Sequence, residues 1–343
     1  IFLGILPFGT FIVVTFKTVW FKKIFKAYMG NTFFLNLLRK IEIPLIAFDE
    51  AHCISKWGHD FRPSYQSVIQ KVFTLPQNFT IVALTATATA EVQQDIMSKL
   101  SIGQNDVVKT STKRRNLIFK VNPTYQRQKF VVDYVANHEG QAGIIYCSTR
   151  KQVEELHEAL NSEKIKSTIY HAGLTNKERI EAQNDFLYDR VEVVIATNAF
   201  GMGIDKSNVR YVIHYNMPGD LESYYQEAGR AGRDGLKSEC ILLFSERDKG
   251  LHEYFITVSQ ADDDYKDKMG EKLTKMIQYT KTKKCLEATI VHYFEPNENL
   301  EECNQCSNCI QENKTYDMTR EAKMIISCIA RMKQQESYSV IIQ

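Results

Sequence analysis

Between residues 118 and 196, short apolar strands alternate with longer segments of helical periodicity, and this alternation constrains the fold more than any other feature. The predicted elements are, in order, strand 118–121, helix 128–137, strand 143–146, helix 151–161, strand 167–170, helix 175–187 and strand 191–196. Strands joined by helices of this length pair in parallel, with the helices crossing over the sheet. We therefore expect an α/β domain whose functional residues follow its strands, where such sheets bind their ligands.

Small and hydroxyl-bearing residues follow three of these strands. Ser148 comes after strand 143–146, Gly173 after strand 167–170 and Thr197 after strand 191–196. Small side chains at such positions let backbone N–H groups approach phosphates closely. His171 lies in one of these segments and is equally well explained as a loop histidine, so it receives no catalytic role.

Another apolar strand, 43–48, is followed directly by Asp49-Glu50-Ala51-His52. Two adjacent carboxylates at the end of a buried strand suit nucleotide hydrolysis. The first can hold Mg²⁺ through its waters, and the second can polarise the attacking water. Taken alone, the quartet is also compatible with a simple turn or the start of a helix.

Residues 53–65, here called the aromatic loop, combine aromatic side chains with an arginine, a glycine and a proline. Its candidate DNA-binding residues are Trp57, His59, Phe61, Arg62 and Tyr65. Aromatic rings can stack on unpaired bases while a guanidinium holds phosphate. The alternative is that these rings pack a domain interface.

The quartet followed by this loop resembles the RecQ family of superfamily 2 DNA helicases. The resemblance implies two RecA-like parallel-sheet motor domains, the first incomplete, followed by a small helical zinc-binding module. It implies an ATP-dependent helicase that moves 3′ to 5′ and serves DNA repair or recombination. Asp49 would organise Mg²⁺, Glu50 would activate water, and His52 would couple this site to the aromatic loop, which senses single-stranded DNA in the family.

Two further motifs extend the resemblance. Residues 84–89, Leu-Thr-Ala-Thr-Ala-Thr, match the segment that links the motor domains, although Thr87 or Thr89 could instead cap a helix beginning near residue 90. Residues 225–235 match the arginine-finger segment, with two arginines three apart on one helical face. By resemblance the nucleotide-binding residues of the second domain are Asp205, Gln226, Arg230 and Arg233. The alternative is a solvated helix with two surface arginines.

Four cysteines are grouped near the C-terminus, namely Cys285, Cys303, Cys306 and Cys309. This spacing predicts a tetrahedral structural zinc site, with disulfides as the alternative. A helical stretch over 264–294 is expected to carry the first ligand. The remaining cysteines are expected to be buried thiols: Cys53, Cys147, Cys240 and Cys328.

Charge composition does not by itself indicate a nucleic-acid partner. With 43 basic and 41 acidic residues the net charge is only +2, so affinity for DNA has to come from local placement of charge. The resemblance implies single-stranded and forked DNA as partners, ATP, Mg²⁺ and Zn²⁺ as ligands, and no membrane partner. It places the protein in the cytoplasm, associated with the nucleoid if the source is bacterial.

The family's phosphate-binding loop, G-x-x-x-x-G-K-S/T, does not occur in the chain, which contains no Gly-Lys pair. Residues 1–16 are uncharged, but Pro7 and Gly9 make them a poor membrane span, and we expect a remnant rather than an anchor. The expectation is a fragment that is inactive alone, or else a non-hydrolysing DNA-binding remnant. Its predicted parts are a remnant segment (1–32), the end of the first motor domain (33–110), the second motor domain (111–245), a zinc-binding subdomain (246–316) and the start of a winged-helix domain (317–343), with a helix over 319–332.

Overall fold

The computed structural model contains a mixed sheet, a second sheet that is entirely parallel, and a helical region that follows them. The described residues are 2–6, 9–14, 35–36, 38–58, 61–76, 78–201, 204–298, 300, 302–310, 319, 323–324 and 326–327. Within them, no helix combines the length and the apolar character needed to cross a bilayer.

The first sheet contains four strands in the order β1 (Phe2–Leu6), β2 (Gly9–Val14), β3 (Leu45–Phe48) and β4 (Thr80–Ala83). The pair β1–β2 is antiparallel, whereas β2–β3 and β3–β4 are parallel. Helices α1 (Pro63–Val72) and α2 (Ala90–Leu100) belong to this domain, and the described residues 35, 36 and 38 are also helical. Their apolar side chains, among them Val68 and Ile96, form one core with β3 and the start of the aromatic loop.

The structure corrects the domain boundary drawn at residue 33. Strand β2 pairs with β3 from Phe11 opposite Leu45 to Val14 opposite Phe48, so part of the segment 1–32 belongs to the first sheet. The apolar segment 1–16 is interrupted by Pro7 and Gly9, and the part from Gly9 to Val14 is too short for a membrane span but long enough for a strand. Residues 15–34 lie outside the described part of the chain.

The second sheet is entirely parallel, as the alternating pattern predicted. Its strands are β5 (Leu117–Pro123), β6 (Ala142–Tyr146), β7 (Ser167–Tyr170), β8 (Val193–Ala196), β9 (Val209–His214) and β10 (Ser238–Phe244), in the order β5-β10-β9-β6-β8-β7. Its helices are α3 (Arg127–Ala136), α4 (Arg150–Ser162), α5 (Asn176–Leu187) and α6 (Leu221–Ala228).

Helices cover both faces of this sheet, which explains why its central strands are apolar throughout. Successive residues of β6 point to opposite faces, and accordingly Ile144 and Ile145 belong to two separate apolar clusters. The helices start where their sequences provide caps. Thr149 accepts a hydrogen bond from Gln152 N at the start of α4, and Thr175 forms a capping box with Glu178 at the start of α5.

The third region consists of α7 (Glu246–Val258), α8 (Asp263–Lys281), α9 (Leu286–Phe294) and α10 (Ser307–Ile310). The prediction of one helical stretch over 264–294 was wrong, because α8 ends at Lys281 and Cys285 is the N-cap of α9. Leu273 and Met276 of α8 pack into the same core as the second sheet. The described residues of predicted helix 319–332 are helical, and its other residues lie outside the described part.

Candidate nucleotide, nucleic-acid and metal sites

The two candidate catalytic carboxylates lie at the carboxyl end of buried strand β3. Glu50 adopts a left-handed backbone conformation with φ of 53°, which is uncommon for a residue other than glycine. The next amide, Ala51 N, donates a 2.8 Å hydrogen bond to Leu84 O, just beyond β4. Asp49 Oδ1 accepts a hydrogen bond from Glu50 N at 3.0 Å. The tight turn therefore holds both carboxylates where two neighbouring parallel strands end.

His52 connects this turn to the threonine segment. Its side chain is 3% exposed, and its Nδ1 lies 3.4 Å from Glu50 Oε2 and 3.2 Å from Thr85 Oγ1. Thr85 in turn donates to Thr87 O at 3.2 Å. Thr89 caps α2 by accepting a hydrogen bond from Val92 N at 3.4 Å. The cap interpretation therefore holds for Thr89, whereas the linking role of the segment stays a prediction.

The aromatic loop is partly a core segment, and here the structure corrects two of the predicted DNA contacts. Tyr65 is fully buried, its hydroxyl donates to Asp49 O at 2.7 Å, and burial raises its pKa above the ordinary range. Arg62 is only 5% exposed. Trp57 and Phe61 are half-buried. His59 lies outside the described residues. Trp57 and Phe61 are thus the described aromatic residues of the loop that retain surface for a base, whereas Tyr65 joins the loop to the carboxylate turn.

The polar residues of the second domain converge as predicted. Ser148, Gly173 and Thr197 follow β6, β7 and β8, which are neighbouring strands, so all three lie at one edge of the sheet. Their backbone amides already donate within the domain, to Asn216 Oδ1, His171 Nδ1 and Tyr170 O. The prediction that these amides approach phosphate therefore needs correction, because in this conformation the edge offers the hydroxyls of Ser148 and Thr197 instead.

Asn216 is a residue of this edge that the sequence analysis missed. It follows β9, accepts the Ser148 amide at 3.1 Å, and donates through Nδ2 to Asp248 Oδ1 at 3.2 Å. Asp248 also forms a buried ion pair with Arg127. The signal that could have revealed Asn216 is its place directly after the apolar run Val209–His214, which was not identified as a strand.

The arginines of the finger segment do not lie on a helical face, contrary to prediction. Helix α6 ends at Ala228, and both arginines occupy the turns that follow. Arg230 is 8% exposed and donates through Nη1 to Gly201 O. Arg233 Nη1 donates to Asp205 Oδ1 at 2.9 Å and to Ile204 O at 3.1 Å. Gly201 thus holds the guanidinium group of Arg230, and Ile204 and Asp205 hold that of Arg233. Gln226 lies half-buried on α6.

The four clustered cysteines form a compact tetrad. Their sulfur atoms all lie within 4.8 Å of one another, and the pairs Cys306–Cys309, Cys303–Cys309 and Cys285–Cys306 are 3.5, 3.9 and 4.0 Å apart. Four ligands at the ordinary zinc–sulfur distance, arranged as a tetrahedron, would have sulfur atoms about 3.8 Å apart. The separations fit a tetrahedral metal centre and are too long for disulfide bonds, which are about 2.05 Å. Cys53, Cys147 and Cys240 are buried thiols as predicted, and Cys328 lies outside the described residues.

Backbone amides point at these sulfur atoms. Cys285 Sγ accepts from Ala288 N and Cys303 N, each at 3.4 Å, and Cys306 Sγ accepts from Leu286 N at 3.3 Å. For Cys303, Cys306 and Cys309, burial raises the thiol pKa, and the backbone N–H groups that donate to each sulfur act in the opposite direction and lower it. Amide donors of this kind stabilise thiolates that bind a metal. The tetrad is therefore suited to a tetrahedral cation of zinc type.

Three family models match the chain, in the order in which these sites occur along it. They are the DEAD/DEAH box helicase over residues 12–96, the helicase conserved C-terminal domain over residues 126–235, and the RecQ zinc-binding module over residues 246–310. The ATP-dependent DNA helicase RecQ of Bacillus subtilis is 46% identical over 310 residues, which cover 90% of this chain and 52% of that protein. The chain belongs to the RecQ family of superfamily 2 helicases.

Other similarities agree with this assignment. The ATP-dependent DNA helicase RecQ of Haemophilus influenzae is 37% identical, with 89% of this chain and 49% of that protein covered. The chain thus spans about half the length of these RecQ relatives. A solved structure, S. cerevisiae Dbp5 bound to RNA and ADP BeF3, has a TM-score of 0.53 and 21% identity, covering 70% of this chain and 67% of its own. That likeness confirms the RecA-like fold of the motor domains.

The position of Tyr65 generates a test. We expect Tyr65→Phe to lower the free energy of unfolding by about 1 kcal/mol, because it removes the hydroxyl that donates to Asp49 O. Affinity for single-stranded DNA should not change, because the ring is buried. Urea unfolding and fluorescence anisotropy with a labelled oligonucleotide measure the two effects. Weaker DNA binding at unchanged stability would contradict the placement of Tyr65 in the core.

Proposed function

We propose that this chain carries the motor and zinc-binding regions of an ATP-dependent DNA helicase of RecQ type, which moves 3′ to 5′ along single-stranded DNA and serves DNA repair or recombination. The observation that carries the proposal is the physical connection around Glu50. Tyr65 of the aromatic loop bonds to the backbone of Asp49, and His52 bridges Glu50 and Thr85. A movement of the aromatic loop can therefore be transmitted through these contacts to the Glu50 carboxylate, which would activate the attacking water.

The nucleotide would bind at the carboxyl end of β3. Asp49 is the residue placed to hold Mg²⁺ through its waters, and that ion would neutralise charge on the β- and γ-phosphates. Glu50, 29% exposed, is the base that orients the attacking water. Arg230 and Arg233 would exchange the partners that they have here, Gly201 O and Asp205, for the γ-phosphate when the motor domains close. Asp205 keeps Arg233 oriented until then.

Single-stranded DNA would cross two surfaces. On the first domain, Trp57 and Phe61 offer ring surface for stacking, which is worth about 1–3 kcal/mol per base. On the second domain, the strand ends that carry Ser148 and Thr197 would hold the phosphate backbone. An RNA substrate is the second candidate, since the structural neighbour named above was solved with RNA. The DNA reading is favoured by the aromatic loop together with the cysteine tetrad and the RecQ zinc-binding match.

The absence of a Gly-Lys pair bears on the activity of this chain by itself. Without a lysine-bearing glycine loop, few groups are available to fix the β- and γ-phosphates. If the γ-phosphate is not positioned, the catalytic carboxylate contributes little to the rate of hydrolysis. We propose that the chain alone binds DNA and hydrolyses ATP negligibly. The alternative, a remnant that has no hydrolytic role in any form, predicts the same behaviour for this chain.

Glu50→Gln is the matched control for the prediction that this chain hydrolyses ATP negligibly. Steady-state phosphate release in the presence of single-stranded DNA should be equally low for the chain as it stands and for its Glu50→Gln variant, because chemistry at Glu50 requires a positioned γ-phosphate. A DNA-stimulated rate that Glu50→Gln abolishes would contradict the expectation and would show that other residues supply the phosphate site.

Zinc is the metal that we propose for the cysteine tetrad, in a structural role. Purified chain should contain one zinc ion per molecule. Cys306→Ser should lose it, because Cys306 is fully buried and its sulfur lies 3.5 and 4.0 Å from those of Cys309 and Cys285. Structural zinc supplies about 10–16 kcal/mol of binding free energy in zinc-finger peptides, so losing a ligand should strongly destabilise the region around α8 and α9. Elemental analysis and thermal unfolding measure both effects.

Cys147→Ala is the control for the metal experiment. Cys147 is buried in the second sheet domain, outside the tetrad, so this variant should keep its zinc even if it loses some stability. Zinc retained by Cys306→Ser, or lost equally by both variants, would count against the assignment.

A further inference from the structure

One buried lysine of the zinc-binding region touches both sheet domains. Lys272, on α8, donates through Nζ to the backbone carbonyl of Trp57 at 2.8 Å. The same Nζ lies 3.0 Å from Glu222 Oε1 on α6. The Lys272 and Glu222 side chains are only 7% and 3% exposed. A single ammonium group therefore joins the aromatic loop of the first domain to the helix of the second domain that carries Gln226.

Exposed ion pairs surround this junction. Lys56 lies 2.9 Å from Asp262, and Lys268 lies 3.0 Å from Glu91 of the first domain. The ammonium groups of Lys56 and Lys268 also lie 5.5 and 5.8 Å from the centroid of the Trp57 ring. Solvent-exposed pairs contribute little to stability, whereas breaking a buried pair leaves an uncompensated charge. Among these contacts, the Lys272–Glu222 pair is therefore the one whose loss costs most, and its ammonium group is the group that donates to the Trp57 carbonyl.

The two partners of Lys272 belong to elements with different roles. Trp57 offers a half-buried ring at the candidate DNA surface, and Glu222 lies one helical turn before Gln226 on α6. If the loop carries the Trp57 carbonyl away, the ammonium loses an acceptor inside a region that excludes water. Lys272 can regain a second acceptor only by moving, and because its ammonium group stays paired with Glu222 in a buried site, such a movement also acts on the Glu222 carboxylate of α6.

We infer that Lys272 is a positioning residue that couples the aromatic loop to α6, so that displacement of the loop by a DNA strand is transmitted to Gln226 and the arginine turn that follows α6. This inference deepens the proposed function and rests on it for the identity of the strand. The link between loop and helix is itself a property of the free chain, and it is testable without DNA or ATP.

The test perturbs one end of the link and observes the other. The chain has two tryptophans, Trp20 and Trp57, so Trp20→Phe leaves Trp57 as the single fluorophore. In that background Glu222→Gln changes α6, and the emission maximum and acrylamide quenching of Trp57 report on the loop. The same pair of measurements is repeated with Lys272→Met, which completes a double-mutant cycle. Lys281→Met is the matched control, because Lys281 on the same helix pairs with Glu246 at an exposed site, with exposures of 52% and 58%.

We expect Glu222→Gln to shift the Trp57 emission to the red and to increase its quenching, because an unpaired ammonium leaves its buried site and releases the Trp57 carbonyl. We expect this effect to be lost when Lys272 is already methionine. Lys281→Met should have no effect on Trp57. An unchanged Trp57 signal in Glu222→Gln, or an effect of the same size with and without Lys272, would overturn the inference.

A charge swap provides a second arm that does not depend on Glu222→Gln folding well. The double variant Lys272→Glu with Glu222→Lys restores opposite charges, but a carboxylate at position 272 cannot donate to the Trp57 carbonyl. We expect thermal stability to recover relative to Lys272→Glu alone while Trp57 quenching stays high. Recovery of both would show that the pair acts as packing only. Neither ATP nor DNA is present in these measurements. A negative result would therefore overturn the role of Lys272 but not the proposed helicase function, and a chain that does not bind DNA would overturn the helicase function but not the role of Lys272.

Discussion

Parallel pairing of neighbouring strands is the constraint on which the candidate sites depend, because it brings the ends of strands that are distant in sequence to one edge. In the first sheet it places the Asp49–Glu50 turn beside the segment that follows β4, and the Ala51–Leu84 hydrogen bond fixes the two together. In the second sheet it gathers the residues that follow β6, β7 and β8. In each domain the candidate functional residues thus lie at one edge of the sheet, at the carboxyl ends of its strands, as expected for open α/β sheets.

The zinc-binding region does more than follow the motor domains along the chain. Its long helix α8 shares a core with the second sheet and also bonds to the aromatic loop of the first domain through Lys272. The cysteine tetrad sets the start of α9, because Cys285 is at once a tetrad member and the N-cap of that helix. The cysteine tetrad and the start of α9 are therefore fixed together, and α8 of the same region contacts both the second sheet and the aromatic loop.

The parts of the fold that sequence could predict are those with local signals. Apolar runs bounded by polar residues located β6, β7 and β8, and cysteine spacing located the tetrad. Aromatic composition could not separate Tyr65, which is core, from Trp57, which keeps exposed surface, because both occur in the same short aromatic segment. Helical periodicity predicted that α8 continues into α9 and that α6 continues to Arg230. Both predictions were wrong, because the end of α8 and the turn that holds Arg230 depend on tertiary contacts. Lys272 had no sequence signal, since its partners Trp57 and Glu222 lie far from it along the chain.

We propose above all that this chain holds a single DNA strand. The most direct measurement is equilibrium binding of the chain to single-stranded DNA and RNA oligonucleotides of identical sequence, followed by fluorescence anisotropy over a range of salt concentrations. We expect measurable DNA binding that weakens as the salt concentration rises, because phosphate contacts release counterions. We also expect the affinity for DNA to be at least equal to the affinity for RNA. Absence of DNA binding at low salt, or a clear preference for RNA, would contradict it.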